Sequence, residues 1–493
     1  MLTLDILYSN LVELGGSIRA RKLSPVELTE AYLNRLDKLG GPLGTIATIM
    51  REQAMEEARA AEKEIAAGRW RGPLHGIPYG AKDLLATRAV PTTWGAPPFQ
   101  DQVFDQDATV VRKLRQAGAI LVAKLAMIEL AGGGGYNSGK ASLQGGSRCP
   151  YNPAHWAGGS SSGPGAAVPS AQVGFAIGSE TLGSIITPSA FSGVSGLRPT
   201  YGRVSRHGAM ALSWTMDKLG PMCRTAVDCG LVLSAIAGPD PQDATSRPEP
   251  FHYSPPNDAK RAASLTGKRL GVLRLDFPKD GDPEVGAAFD KAIKILEKLG
   301  AKIEDTDLPD FPYSPVAVSL YTAEAASIFR PFIESEKLND LLDDTQKAGL
   351  KSALEIKASD YLDAFRWRGQ IQAALAELFA KFDALVAPSR TSPAPLLDVD
   401  FDAASRAAET KPGAAKPTQQ RQAPAPKTQL IAASNIAGLP ALSVPCGFTK
   451  EKNLPIGIQF VADALREDVC IACGHAYQSA TEWHKKRPNL DST

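Results

Sequence analysis

Residues 156–165 read WAGGSSSGPG, three consecutive serines held between glycines. Gly159 and Gly163 flank Ser161 at the G-x-S-x-G spacing of a nucleophile elbow, which would sit on a strand-to-helix turn of an α/β-hydrolase sheet. The same residues also suit a polar loop with no chemistry of its own, because small residues gather in loops. Only the flanking sequence separates a catalytic serine from a turn.

Downstream, the apolar run VGFAIGS (173–179) has the length and β-branched character of a buried strand and leads into a second glycine-serine turn, GSETLGS (178–184). Ser184 follows Ser160 by 24 residues. A strand that breaks into a tight turn aims successive backbone N–H groups one way, which suits an oxyanion hole, and Thr181, Leu182, Gly183 and Ser184 can supply those donors. A serine hydroxyl still needs a base within reach. His155 and His207 lie near glycine-rich segments without a motif that marks either. Lys82, in GIPYGAKDLL (76–85), follows a strand-like run where burial would disfavour its charged form. The residues alone leave all three open.

The wider pattern is that of an α/β protein. KLSPVELTEAYLNRLDKLGG (22–41) carries Ser24 as a cap, Pro25 at the first helical position, Glu27 to close a capping box and Gly40 as a stop. REQAMEEARAAEKEIAAG (51–68) is a second helix, and ATVVRKLRQAGAILVAKLAM (108–127) gives helix, Gly118 and buried strand. Further strands are expected at KRLGVLRL (268–275), FDALVAPS (382–389), PALSVPCGF (440–448) and IGIQFVA (456–462), with a helix over 283–299. No fixed-period repeat or composition break divides the chain, so residues 1–493 are read as one domain, a large mixed sheet enclosed by helices. A Pro-rich excursion at about 238–265 and an Ala/Pro/Lys/Gln-rich segment at about 401–429 interrupt it.

Composition narrows the function. Lys plus Arg at 54 against Asp plus Glu at 53 leaves a formal charge of +1, which gives no field to draw nucleic acid or an anionic membrane. No apolar stretch approaches the roughly 18 residues of a membrane span, and Asp5 and Glu13 interrupt any leader-like segment. The 6 cysteines are too sparse for a disulfide framework, which points to a reducing cytoplasm. Cys470 and Cys473 fall in a helical pattern, the 6 histidines lack metal-ligand spacing, and neither a metal nor a cofactor is expected.

The serine turns, the lysine segment LHGIPYGAKDLL, the stretch GLRPTYGRVSRHGAM, and the C-terminal AGLPALSVPCGF, LPIGIQFVA and TEWHKKRP together resemble the amidase signature hydrolases over nearly the whole chain. The signature core would lie at about 70–225. The resemblance implies Lys82 as general base, Ser184 as acyl nucleophile and Ser160 as the proton relay, on a cis Gly159–Ser160 peptide. It also implies an oxyanion hole from the backbone of Thr181, Leu182, Gly183 and Ser184, with Ala131, Gly132 and Ser161 at the substrate. The family's turn reads G-T-D-T-G-G-S-I-R; here Leu182 replaces a glycine and Ile186 an arginine, which removes one charge near the turn.

The implied activity is hydrolysis of a neutral amide, with aryl amides, esters and carbamates as related substrates, by a monomer or homodimer. An alternative is the glutaminase component of a tRNA-dependent amidotransferase, although Leu350–Arg366 lacks the arginine-bearing segment such a protein would use for a glutamine carboxylate. A catalytically silent binding protein is the third reading, disfavoured because all three catalytic positions are filled.

Overall fold

A computed structural model describes residues 2–256, 263–277, 279–401 and 429–490. Eleven strands form one mixed sheet. In chain order they are β1 (Ile46–Ile49), β2 (Pro78–Lys82), β3 (Ile120–Leu125), β4 (Phe175–Glu180), β5 (Ser195–Arg198), β6 (Lys218–Cys223), β7 (Arg269–Leu273), β8 (Lys302–Thr306), β9 (Ala384–Pro388), β10 (Ala441–Phe448) and β11 (Pro455–Ala462). Across the sheet the order is β1-β3-β2-β4-β6-β5-β10-β11-β9-β7-β8. Strand β2 runs parallel to both β3 and β4, whereas β5 pairs antiparallel with β6 and β10 and so joins the two halves of the chain.

The side-chain alternation of the strands explains why their sequences are continuously apolar. Phe175 and Ile177 pack into one core cluster and Ala176 into another on the opposite face. Ile458 and Phe460 of β11 likewise separate from Val461. Helices cover both faces, so neither set of residues meets water.

Helix ends follow the expected chemistry with two exceptions. Ser24 Oγ accepts from Val26 N and Glu27 N, and Pro25 opens the helix Pro25–Leu43. Glu27 does not close a capping box, and the Ser24 hydroxyl donates instead to Glu62. Nor does the helix stop at Gly40. It continues through Pro42 to a left-handed Gly44 (φ 61°), whose lack of a side chain lets it lie against the carbonyl of Gly146. The helix Thr109–Gln116 and Gly118 then connect to β3 as a parallel crossover from β2. The helix Glu467–Ser479 buries Cys470 and Cys473.

Of the excursion at 238–265, residues 238–256 contain no helix or strand, yet Asp240 anchors them by accepting from Thr109 Oγ1 (2.5 Å) and Ser205 Oγ (2.6 Å). The expected long segment at 401–429 lies outside the described residues except for its two ends. Phe401 stacks near Trp156, and Gln429 accepts from Ser314. Among the described residues no helix is long and apolar enough to cross a membrane.

Candidate active site

Parallel pairing of Ala81 with Ile177 carries Lys82, at the end of β2, alongside Gly178 and Ser179 of β4. Its ammonium nitrogen is fully buried and donates to Ser160 Oγ at 2.8 Å and to Ser179 Oγ at 2.9 Å. Burial lowers its pKa to about 7, only partly opposed by the charges of Asp217 and Glu180. Lys82 therefore exchanges a proton near neutrality, as a general base must. Neither histidine competes for this place. His155 is buried with Nδ1 2.8 Å from the Ala394 carbonyl, and the His207 imidazole bonds no serine among the described residues.

Ser160 follows a cis Gly159–Ser160 peptide and is completely buried. Ser161 departs from its expected place at the substrate. It too is completely buried, and its hydroxyl donates to Ser179 O (3.1 Å) and accepts from Ser179 N (3.2 Å), so it clamps the end of β4. A nucleophile elbow at Ser161 is incompatible with that position. Ser162 opens the helix Ser162–Ala167. Gly163 has no room for a side chain, since a Cβ there would fall 2.5 Å from Ala126 N.

The second turn is held from two sides. Ser161 N donates to Ser184 O at 3.3 Å, and Gly183 adopts φ 88°. The Glu180 carboxylate accepts from Ile185 N (2.8 Å) and Ile186 N (2.9 Å) and thereby caps the helix Ile186–Ser192. The amides of Leu182, Gly183 and Ser184, in contrast, donate to no protein acceptor among the described residues. Leu182 and Ser184 border a cavity of about 220 Å³, walled also by Ala131, Gly132, Tyr136 and Tyr321. Leu130 and Ala131 are both left-handed, at φ 47° and 54°, a conformation that costs a non-glycine residue about 1–3 kcal/mol. A second cavity of about 230 Å³ shares Ala131 and Thr181 as walls and extends past Ser179 to Met210 and Trp214. The hydroxyls of Ser160 and Ser184 are not hydrogen-bonded to each other.

The replacement of arginine by Ile186 does not leave the turn without a cation. Arg198, from β5, pairs with Glu180 at 2.8 Å, and both are fully buried. Asn435 Nδ2 donates to the same carboxylate at 2.8 Å, and Lys218 Nζ donates to Asn435 Oδ1 at 2.7 Å. Burial alone would raise the pKa of Glu180, but the charge of Arg198 and the bonds from Asn435 and Ile186 hold it below the usual carboxylate range. Asp217 completes the surround: it accepts from Thr181 Oγ1 at 2.6 Å and from Leu212 N and Ser213 N.

Ser179, Arg198, Asp217, Tyr136 and Tyr321 thus join the candidate site, and motif reading missed them. Ser179 alone had a local signal, its place in the glycine-serine turn. Among the described residues no group of three His, Cys, Asp or Glu side chains is placed to hold a metal.

Comparison with known proteins places this geometry in a family. The Amidase family model matches residues 27–471. The A subunit of the glutamyl-tRNA(Gln) amidotransferase of Moorella thermoacetica is 35% identical, with 99% of each chain covered. The solved peptide amidase of Stenotrophomonas maltophilia is 30% identical and superposes with a TM-score of 0.79 over 98% of this chain and 99% of that one. A bacterial aryl acylamidase of the amidase signature family, 23% identical, shares the fold at a TM-score of 0.81 over 97% of both chains. The family match, the identities and the shared fold agree, and the chain belongs to the amidase signature family of enzymes.

Proposed function

We propose that this protein hydrolyses the C–N bond of a linear amide through an acyl-serine intermediate. The observation that carries the reading is the buried Lys82, with a pKa of about 7, bonded to Ser160 beside the turn that ends in Ser184, whose 182–184 amides have no protein acceptor among the described residues. Neutral Lys82 takes the Ser160 proton while Ser160 takes that of Ser184, whose Oγ attacks the carbonyl. The oxyanion forms against the 182–184 amides, where donors fixed before the reaction cost no reorganisation. The proton returns through Ser160 to the departing nitrogen, and water repeats the sequence on the acyl enzyme. Ser179 and Asp217 hold the lysine and the turn in place.

A second reading, the glutaminase component of an amidotransferase, is favoured by the relatives that carry that name. Set against it is the wall of the Ser184 cavity, which contains no charged side chain among the described residues. No residue of the helix Asp344–Ala353 lines this cavity; its Gly349 packs against Gly134, where a Cβ would fall 1.8 Å from Gly134 O. The two readings separate on a panel of anilides, primary amides, esters, carbamates and glutamine. Turnover of several simple amides by the isolated chain supports the hydrolase. Turnover of glutamine alone overturns it in favour of the amidotransferase component.

A further inference from the structure

A short strip of chain is shared between the catalytic cleft and a third cavity. Ala209, Met210 and Ala211, which line the cavity beside Ser179, also line one of about 330 Å³. The other walls of that cavity are largely aromatic. Trp94, Phe99, Phe104, Phe329 and Phe332 supply them, with ring centroids 4.7 Å apart for Trp94 and Phe99, 5.1 Å for Phe99 and Phe332, and 6.4 Å for Trp94 and Phe329. All of these rings except Phe329 are only half-buried. No charged side chain lines the cavity among the described residues. Trp94 is also tied to the catalytic lysine segment. Held in a left-handed conformation (φ 52°) that is costly for a residue with a side chain, it donates from its backbone N–H to Asp83 O at 3.2 Å, next to Lys82, and its carbonyl accepts from Leu130 N at 2.9 Å, next to Ala131.

Half-buried aromatic rings around a hollow have the make-up of a small-molecule site, and an apolar cavity of about 150 Å³ already holds benzene. Water against these rings is a standing cost that an apolar ligand would relieve. The chemistry of the cleft says which end of a substrate reaches them. Lys82 and Ser160 return the proton to the departing nitrogen, so the amine lies on the Lys82 side of the reacting carbonyl. Ser179, the second partner of Lys82, is a wall of the cavity that extends to Met210, and Met210 is where the aromatic cavity begins. Resting on the hydrolase reading above, we propose that the aromatic cavity is a subsite for the leaving group, and that the substrates are amides whose amine carries a neutral aryl or arylalkyl end. A charged end would be dehydrated there without a counter-charge in the walls.

The experiment measures kcat/KM for the acetamides of a short amine, methylamine, and a long one, 4-phenylbutylamine, in wild type, Phe104→Ala, Phe104→Leu and Phe332→Ala. The readout is the long-to-short ratio, in which any loss of folded enzyme cancels. Burial of the phenyl ring predicts a wild-type ratio of about 10 to 100. The ratio should fall by about 5- to 10-fold in Phe104→Ala and Phe332→Ala, and by less in Phe104→Leu, which keeps part of the apolar wall. A carboxylate placed on the ring of the long amine should abolish the gain in wild type. The same ring on the acyl side, 5-phenylpentanamide against acetamide, should give a ratio that these substitutions do not move. A wild-type ratio near one, or a ratio unchanged in both alanine variants, overturns the subsite and leaves the hydrolase standing. An acyl-side ratio that falls as far as the amine-side one overturns the assignment to the leaving group. A wild-type protein that cleaves none of these amides overturns both the subsite and the hydrolase reading.

Discussion

In the proposed mechanism Lys82 is the residue whose state sets the pH dependence of the whole reaction. Only its neutral form accepts the Ser160 proton, and burial brings its pKa to about 7. kcat/KM is therefore predicted to be low in acid, to rise with pH through about 7 and to level off above it, which a pH–rate profile checks directly. Lys82→Ala should slow an amide by about 10²–10⁴-fold, the usual scale of general acid–base catalysis, and should slow a matched ester less, since an alkoxide or phenoxide departs with less need of a proton. Equal losses would mean that Lys82 only positions the serines. Ser179 offers a finer test: its hydroxyl accepts from Lys82 at 2.9 Å and favours the ammonium form. Ser179→Ala should move the ascending limb to lower pH, with a smaller loss of kcat than Lys82→Ala.

At the scale of elements, the end of β4 and the helix Ile186–Ser192 are fixed by one buried carboxylate and its partners. Breaking a buried pair leaves the remaining charge unpaired, so Arg198→Met should destabilise the protein by about 3–5 kcal/mol, read from urea unfolding, and Arg198→Lys by less. Gly349 presents a contest of effects. Alanine there gains about 1 kcal/mol of helix propensity, but its Cβ would meet the Gly134 carbonyl at 1.8 Å, and backbone cannot give way as a side chain can. The clash wins, and Gly349→Ala should lower both stability and activity.

The local signals were legible in the sequence because their causes are local. Ser24 and Pro25 mark a helix start wherever they occur, and apolar runs such as FAIGS and ALSVP had no alternative to burial. Four strands were missed: β1 and β5 are only four residues long, β8 is polar and largely exposed, and β6 is interrupted by Gly220 and Pro221. The Arg198–Glu180–Asn435 cluster was missed because it joins residues up to 255 positions apart. The same distance hid the compensation for Ile186.

The molecule as a whole makes the site from one sheet. Every catalytic candidate lies between residues 82 and 184, yet β5 finds its second partner in β10, Arg198 also donates to Leu439 O, and the main core runs from Leu7 to Tyr477. A fragment limited to residues 70–225 should therefore fail to fold, giving no near-UV circular dichroism and rapid proteolysis, although it contains all three catalytic positions. The central claim is that the intact chain forms an acyl enzyme on Ser184. Treatment with a serine-directed phosphonyl fluoride, followed by peptide mass spectrometry, tests it most directly. The adduct is predicted on Ser184 and is predicted to disappear in Ser184→Ala while the fold remains. An adduct on Ser160 or Ser161 instead, or no adduct from a chain that still hydrolyses amides, would contradict the account.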